Sequence, residues 1–144
     1  MVEPAIFGPV DVVLAPVVEY VVLVLVLANL LTRFLAYRSH RRQVEDGADA
    51  VSRYGPHEAS NVLLVLVSFY YLTLHHHSGM VLSALVVGTV LTDFFEFEAR
   101  LVEARQELPI ELPKGAITAS MFVAAYAAYL ALFFVVEPVW NAIV

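Results

Sequence analysis

At 144 residues, 60% apolar and only 15% charged, with a mean hydropathy of +0.78, the chain departs from soluble domains, in which about a quarter of the residues are charged. The absence of cysteine excludes a disulfide framework, thiolate metal ligation and thiol chemistry, and a net charge of −6 with acids mixed into every basic segment excludes nucleic-acid binding. Four apolar stretches without charged faces point to an all-α fold, an integral membrane four-helix antiparallel bundle that forms a single domain over residues 1–144.

Residues 1–16 carry Glu3 and Asp11 but no Lys or Arg, so they lack the basic region of a cleavable signal peptide and the first span is expected to be retained. Pro4, Pro9 and Pro16 punctuate this opening, which predicts either a segment lying along the outer interface or an extension of the first helix kinked at Pro16. The first span is predicted over 17–37, with Glu19 and Tyr20 at its outer end and Arg33, Tyr37 and Arg38 snorkelling at its inner end. Asn29 is its only strongly polar residue at depth and reads as an interhelical hydrogen-bond donor and acceptor. The following loop, 38–58, mixes Arg, Glu, Asp, Gly and Pro and reads as a solvated connector holding at most one short helix near 44–54.

The next apolar run is too long for one span. Residues 61–97 as a single helix would measure about 55 Å at ~1.5 Å per residue, against a hydrocarbon core of roughly 30 Å. The polar sequence His75, His76, His77, Ser78 and Gly79 divides it into spans at 59–75 and 79–97, with Gly79 suited to the left-handed conformation that closes helix C-termini. Glu96 and Arg100 are spaced i,i+4, Arg100 and Glu103 i,i+3, and no breaker occurs before Pro109, so the third helix is expected to continue to 108. A stiff Pro109-to-Pro113 connector ends the second loop, 98–114. The last span is predicted over 115–137, with Pro138 interrupting the helix and Trp140 placed in the interfacial aromatic belt.

All eight Lys and Arg fall at the inner end of the first span (Arg33) or in the loops between the first two and the last two spans. By the positive-inside rule this places loops 38–58 and 98–114 in the cytoplasm and both termini outside, in a multi-pass protein of the cell membrane. The single Lys against seven Arg, with fourteen acidic residues crowded towards the loops, resembles the composition of small, uncharacterised multi-span membrane proteins of salt-loving archaea. That resemblance implies a habitat and no function.

Three groups of residues are candidates for function. Small residues recur every four positions at Ala84, Gly88 and Thr92 and at Ala116, Ser120, Ala124 and Ala128. Membrane helices associate through close fit, so with Asn29 these faces read as helix-packing seams, within the chain or between subunits. Asp93 and Glu96, one turn apart, read as acids of the inner end with a structural interfacial role, because Arg100 lies only two turns beyond Asp93, the alternative being a proton or cation site. His75, His76 and His77 are the one concentration of metal-ligand type, and on the same predicted face Glu19 and Glu137 offer carboxylates to complete a metal or proton site. No cofactor motif or catalytic signature is present. The expectation is a non-catalytic accessory or interaction subunit, partnered by the lipid bilayer and by itself or a larger membrane complex. The alternative is transport or metal or proton handling at the outer histidines and carboxylates.

Overall fold

The computed structural model describes residues 8–143, apart from the side chains of 134–136. Glu3 and Pro4 lie outside the described residues. The described chain is all-α: α1 (Pro9–Leu14), α2 (Val18–Gln43), α3 (Gly55–Leu74), α4 (His76–Arg105) and α5 (Lys114–Ile143). Between α1 and α2, Ala15–Val17 tightens into a 3-10 turn at Pro16, so the opening extends the first long helix through a break. Proline has no amide hydrogen to continue the ladder, which is why the break sits there. α2 packs against α3 and α5, and α4 packs against the same two.

Each long helix buries one stripe at helical spacing. On α2 it runs Val18, Val22, Val26, Asn29, Arg33, Ala36 and His40; on α4, Gly79, Leu82, Val86, Thr89, Asp93, Phe97, Arg100 and Ala104. Both stripes are apolar towards the His75 end and polar towards the loops. The apolar half, built mainly from Val18, Val22, Val26, Leu64, Val67, Leu82, Val86, Val123 and Ala127, is the main core. A second, smaller core of Val51, Phe97, Ala104 and Ile110 packs beneath the loops. Residues 38–58 are therefore less solvated than their composition suggests. α2 continues to Gln43, two 3-10 turns follow at Val44–Asp46 and Ala48–Ala50, and Val51 is buried. Gly47 joins those two turns at φ 112°, a conformation that a side chain would strain.

Among the described residues three helical stretches are long and apolar enough to cross a membrane: Pro9–Asp46, His76–Arg105 and Lys114–Phe133. α3 is not among them, because its first two turns carry His57, Glu58, Ser60 and Asn61. The boundaries differ from expectation in three places. α3 and α4 are separated by His75 alone, and His76 and His77 already belong to α4. Gly79 is accordingly helical, with no left-handed φ; a Cβ there would overlap the Leu72 backbone, so glycine serves the close approach of α3 and α4. α4 ends at Arg105 rather than 108. Glu107, at φ 58°, lets its amide reach the Ala104 carbonyl and the Leu108 amide reach Glu103, a Schellman closure made without glycine. α5, finally, runs through Pro138 to Ile143.

The seams also differ from the small-residue pattern. Ala116 and Ser120 are buried and Ala124 and Ala128 half-buried, the inward line on α5 continuing through Val123, Ala127 and Ala131. On α4, Ala84 and Gly88 are exposed and Thr92 is half-buried, and a Cβ on Gly88 would meet nothing within 4 Å. The four-residue repeat on α4 therefore marks its outer face, one position away from the inward stripe of Ser83, Thr89 and Asp93. Gly79→Ala is expected to lower thermal stability in detergent by an overpacking cost of about 1–3 kcal/mol, whereas Gly88→Ala leaves it unchanged or raises it by roughly the helix-propensity difference of 1 kcal/mol. Equal shifts for the two variants would contradict the close approach at Gly79.

Candidate functional site

The polar halves of the four stripes meet in one buried network near the loop end. Asp93 is at its centre and only 8% exposed. His57 Nε2 donates to Asp93 Oδ2 at 2.6 Å and Asn61 Nδ2 donates to the same oxygen at 2.8 Å. Arg33 Nε faces Oδ1 at 3.6 Å. Arg33 is 1% exposed, so it does not snorkel to a surface. Its position on the α2 stripe, one turn after Asn29 and two after Val26, turns it inward, where a carboxylate, an amide and a hydroxyl replace the water it gives up. Arg33 Nη1 donates to Asn29 Oδ1 at 2.9 Å and also to Ser120 Oγ on α5. Arg33 Nε and Nη2 make no hydrogen bond among the described residues.

Asn29 completes the network: its Nδ2 donates to Ser60 Oγ and to Asn61 Oδ1, both at 2.8 Å. All four long helices thus contribute. The adjoining void holds only about 10 Å³ and is lined by Asn29, Asn61, Thr89 and Ser120 among valines and a leucine. That is about the room of one water sphere, and it excludes an organic substrate.

His57 has both ring nitrogens engaged. Its Nε2 holds the proton shared with Asp93, and its Nδ1 lies 2.8 Å from Thr32 Oγ1. Thr32 Oγ1 is also 3.0 Å from the Asn29 carbonyl oxygen, and it has one proton to give. With neutral His57 that proton goes to Nδ1; with the imidazolium, Nδ1–H donates to Thr32 and the hydroxyl turns to the Asn29 carbonyl.

Two further contacts extend the network towards the loops. Arg100 Nη1 donates to His40 Nδ1 at 2.9 Å, which leaves the His40 proton on Nε2, where it is given to the Ser52 carbonyl at 2.9 Å. Glu96 Oε1 accepts the Ala116 amide of the first turn of α5 at 3.0 Å. A carboxylate there satisfies one orphan amide and meets the positive end of the helix dipole.

The sequence singled out Asn29, Ser120, Asp93 and Glu96, and of these the structure joins Asn29, Ser120 and Asp93 through Arg33. The sequence reading missed Arg33, His57, Asn61 and Ser60 as site residues. Their signal was present: Asn29, Arg33 and His40 fall at helical spacing on the face of Val18, Val22 and Val26, and His57, Ser60 and Asn61 lie on the face of Leu64. At the opposite end, the structure brings together His75 and Glu19, with Nε2 and Oε1 3.7 Å apart. His76, His77 and Glu137 are exposed and make no ion pair among the described residues. Consecutive helical residues point about 100° apart, so His76 and His77 diverge. Among the described residues no three His, Asp or Glu side chains are grouped so that they could hold a metal.

Because removing one member of a buried ion pair strands the other, Arg33→Met and Asp93→Leu are each expected to cost about 3–5 kcal/mol, and the double variant much less than their sum. Unfolding of the four proteins in a mixed-micelle denaturant series measures this coupling, and additive losses would dissolve the pair.

No curated protein and no solved structure matches the chain. A family description does, over residues 3–144. On that match the chain belongs to the DUF7313 family, a domain of unknown function.

Proposed function

We propose that the chain is a small polytopic protein of the cell membrane, an antiparallel four-helix bundle with its loops in the cytoplasm and its termini outside. It acts without catalysis, as an accessory or interaction subunit that packs with itself or with a larger membrane partner. The observation that carries this reading is the two-sidedness of α4. Its inner face is occupied by the packed core and by Asp93, beside a void of only about 10 Å³ among the described residues, while its outer face presents Ala84 and Gly88 with open space beyond the glycine. Small residues on a lipid-facing helix allow a second helix to approach closely. The orientation is supported by the basic residues. Arg33 is spent on Asp93, but the other seven, Arg38, Arg41, Arg42, Arg53, Arg100, Arg105 and Lys114, belong to the loop end.

Native mass spectrometry of the detergent-extracted protein, alone and with co-purifying chains, is expected to show a complex that Ala84→Leu with Gly88→Leu disrupts, leaving the thermal stability of the single chain unchanged. A monomer unaffected by these substitutions would remove the reading. Orientation is read separately: in this cysteine-free chain, Ser78→Cys is expected to react with an impermeant thiol reagent applied outside and Ser39→Cys to be protected. The reverse pattern would invert the topology.

A second reading, proton handling, is favoured by one observation, the engagement of both His57 ring nitrogens, Nε2 with the Asp93 carboxylate and Nδ1 with Thr32, whose hydroxyl also reaches the Asn29 carbonyl oxygen. His57 lies in the first turn of α3, close to the loops. Protein reconstituted into vesicles would then relax an imposed pH gradient faster than empty vesicles, and His57→Gln would abolish the difference. Identical rates for wild type and variant exclude this role.

A further inference from the structure

At the loop end a groove of about 550 Å³ opens between the last turns of α2 and the 109–113 connector, lined by Tyr37, Arg38, Arg41, Arg42, Val44, Glu45, Pro109 and Ile110. Arg38, Arg41 and Arg42 are spaced i, i+3 and i+4, so α2 presents them on one face. All three are exposed, and none forms an ion pair among the described residues. They differ in this from Arg33, paired with Asp93, and from Arg53, which reaches both Glu58 at 3.6 Å and Glu98 at 3.3 Å. Glu45 is the only acid in the wall. The Tyr37 ring packs against two guanidinium groups, 5.7 Å from that of Arg41 and 5.9 Å from that of Arg100, which fixes one side of the groove. The remaining wall, Val44, Pro109 and Ile110, is apolar.

We propose that this groove binds the headgroup of an anionic phospholipid, its phosphate held by Arg38, Arg41 and Arg42 and its glycerol resting on Val44, Pro109 and Ile110. Guanidinium groups match phosphate oxygens in charge and geometry. The groove begins where the apolar part of α2 ends, at the depth of headgroups if the chain spans the bilayer, and the inference rests on that reading. The volume also favours a lipid over a bare anion, because it falls in the range of about 300–1,000 Å³ typical of sites for whole small molecules. An alternative use of the three arginines, balancing the dipole at the C-terminus of α2, requires neither the groove nor its apolar wall.

The test titrates the detergent-purified full chain with dioctanoyl phosphatidylglycerol, dioctanoyl phosphatidylcholine and inorganic phosphate, reading bound ligand by native mass spectrometry. Phosphatidylglycerol is expected to bind once per chain and at least tenfold more tightly than phosphatidylcholine. Each arginine near an anionic lipid is worth about a fivefold change in affinity, so Arg41→Gln is expected to weaken binding about fivefold and Arg38→Gln/Arg41→Gln/Arg42→Gln to abolish the preference. Arg105→Gln, an exposed arginine of the same end outside the groove, is expected to leave it intact. Equal binding of the two lipids, a triple variant with wild-type selectivity, or equal loss in Arg105→Gln would overturn the site. Inorganic phosphate competing in the same concentration range would overturn the lipid as its ligand. The membrane reading is checked independently by retention of the wild-type chain in alkali-washed membranes, so its failure is distinguishable from failure of the groove.

Discussion

A carboxylate taken into a helical interior costs several kcal/mol unless other groups replace its water, and Asp93 is such a carboxylate. Its replacements come from two other helices: Arg33 from α2, and His57 and Asn61 from α3. Ser120 of α5 is joined through Arg33, and Asn29 through both Arg33 and Asn61. Buried ion pairs seldom add much net stability, because desolvation consumes most of the Coulombic gain. Their effect here is directional. A valine stripe packs nearly as well after a small slide of one helix along another, but the 2.6 and 2.8 Å bonds to one carboxylate oxygen do not survive it. The register of α2, α3 and α4 therefore depends on Asp93.

The other end of the molecule is organised by contact rather than charge. α3 and α4 turn about a single residue, His75, and come so close that Gly79 has no room for a Cβ against Leu72. Ser83 Oγ donates to the Ser68 carbonyl at 3.1 Å a little further along the same seam. α1 is tied back to this region by Tyr70, whose hydroxyl donates to Asp11 Oδ1 at 2.6 Å. The two ends divide the work: close backbone approach at one, a branched polar network at the other, with the valine-rich core between them.

Such a division leaves the surface free for function. Among the described residues the network adjoins a void of only about 10 Å³, whereas the small residues of the outer face of α4 and the arginines at the end of α2 lie exposed. The glycines of α4 illustrate the difference. Gly79 and Gly88 both lie within this helix, yet one is held against Leu72 and the other faces open space. Small size serves packing inside the fold at the first position and is available to a partner at the second.

The sequence by itself determined the helical class, because a helix satisfies the backbone hydrogen bonds of a long apolar run within the run itself. It also located the break at Pro16 and the irregular connector around Pro109 and Pro113, where chemistry local to the proline decides the conformation. Only the tertiary structure decided which small residues face inward, since a four-residue repeat specifies a face of a helix and not what that face meets; Ala84 and Gly88 therefore fell outside the seam. Only the fold, too, decided the fate of Arg33. Near the end of a long apolar helix an arginine has two ways to satisfy its charge, by reaching water or by finding an acid, and the choice rests with Asp93, sixty residues further along the chain, which α4 carries to within 3.6 Å.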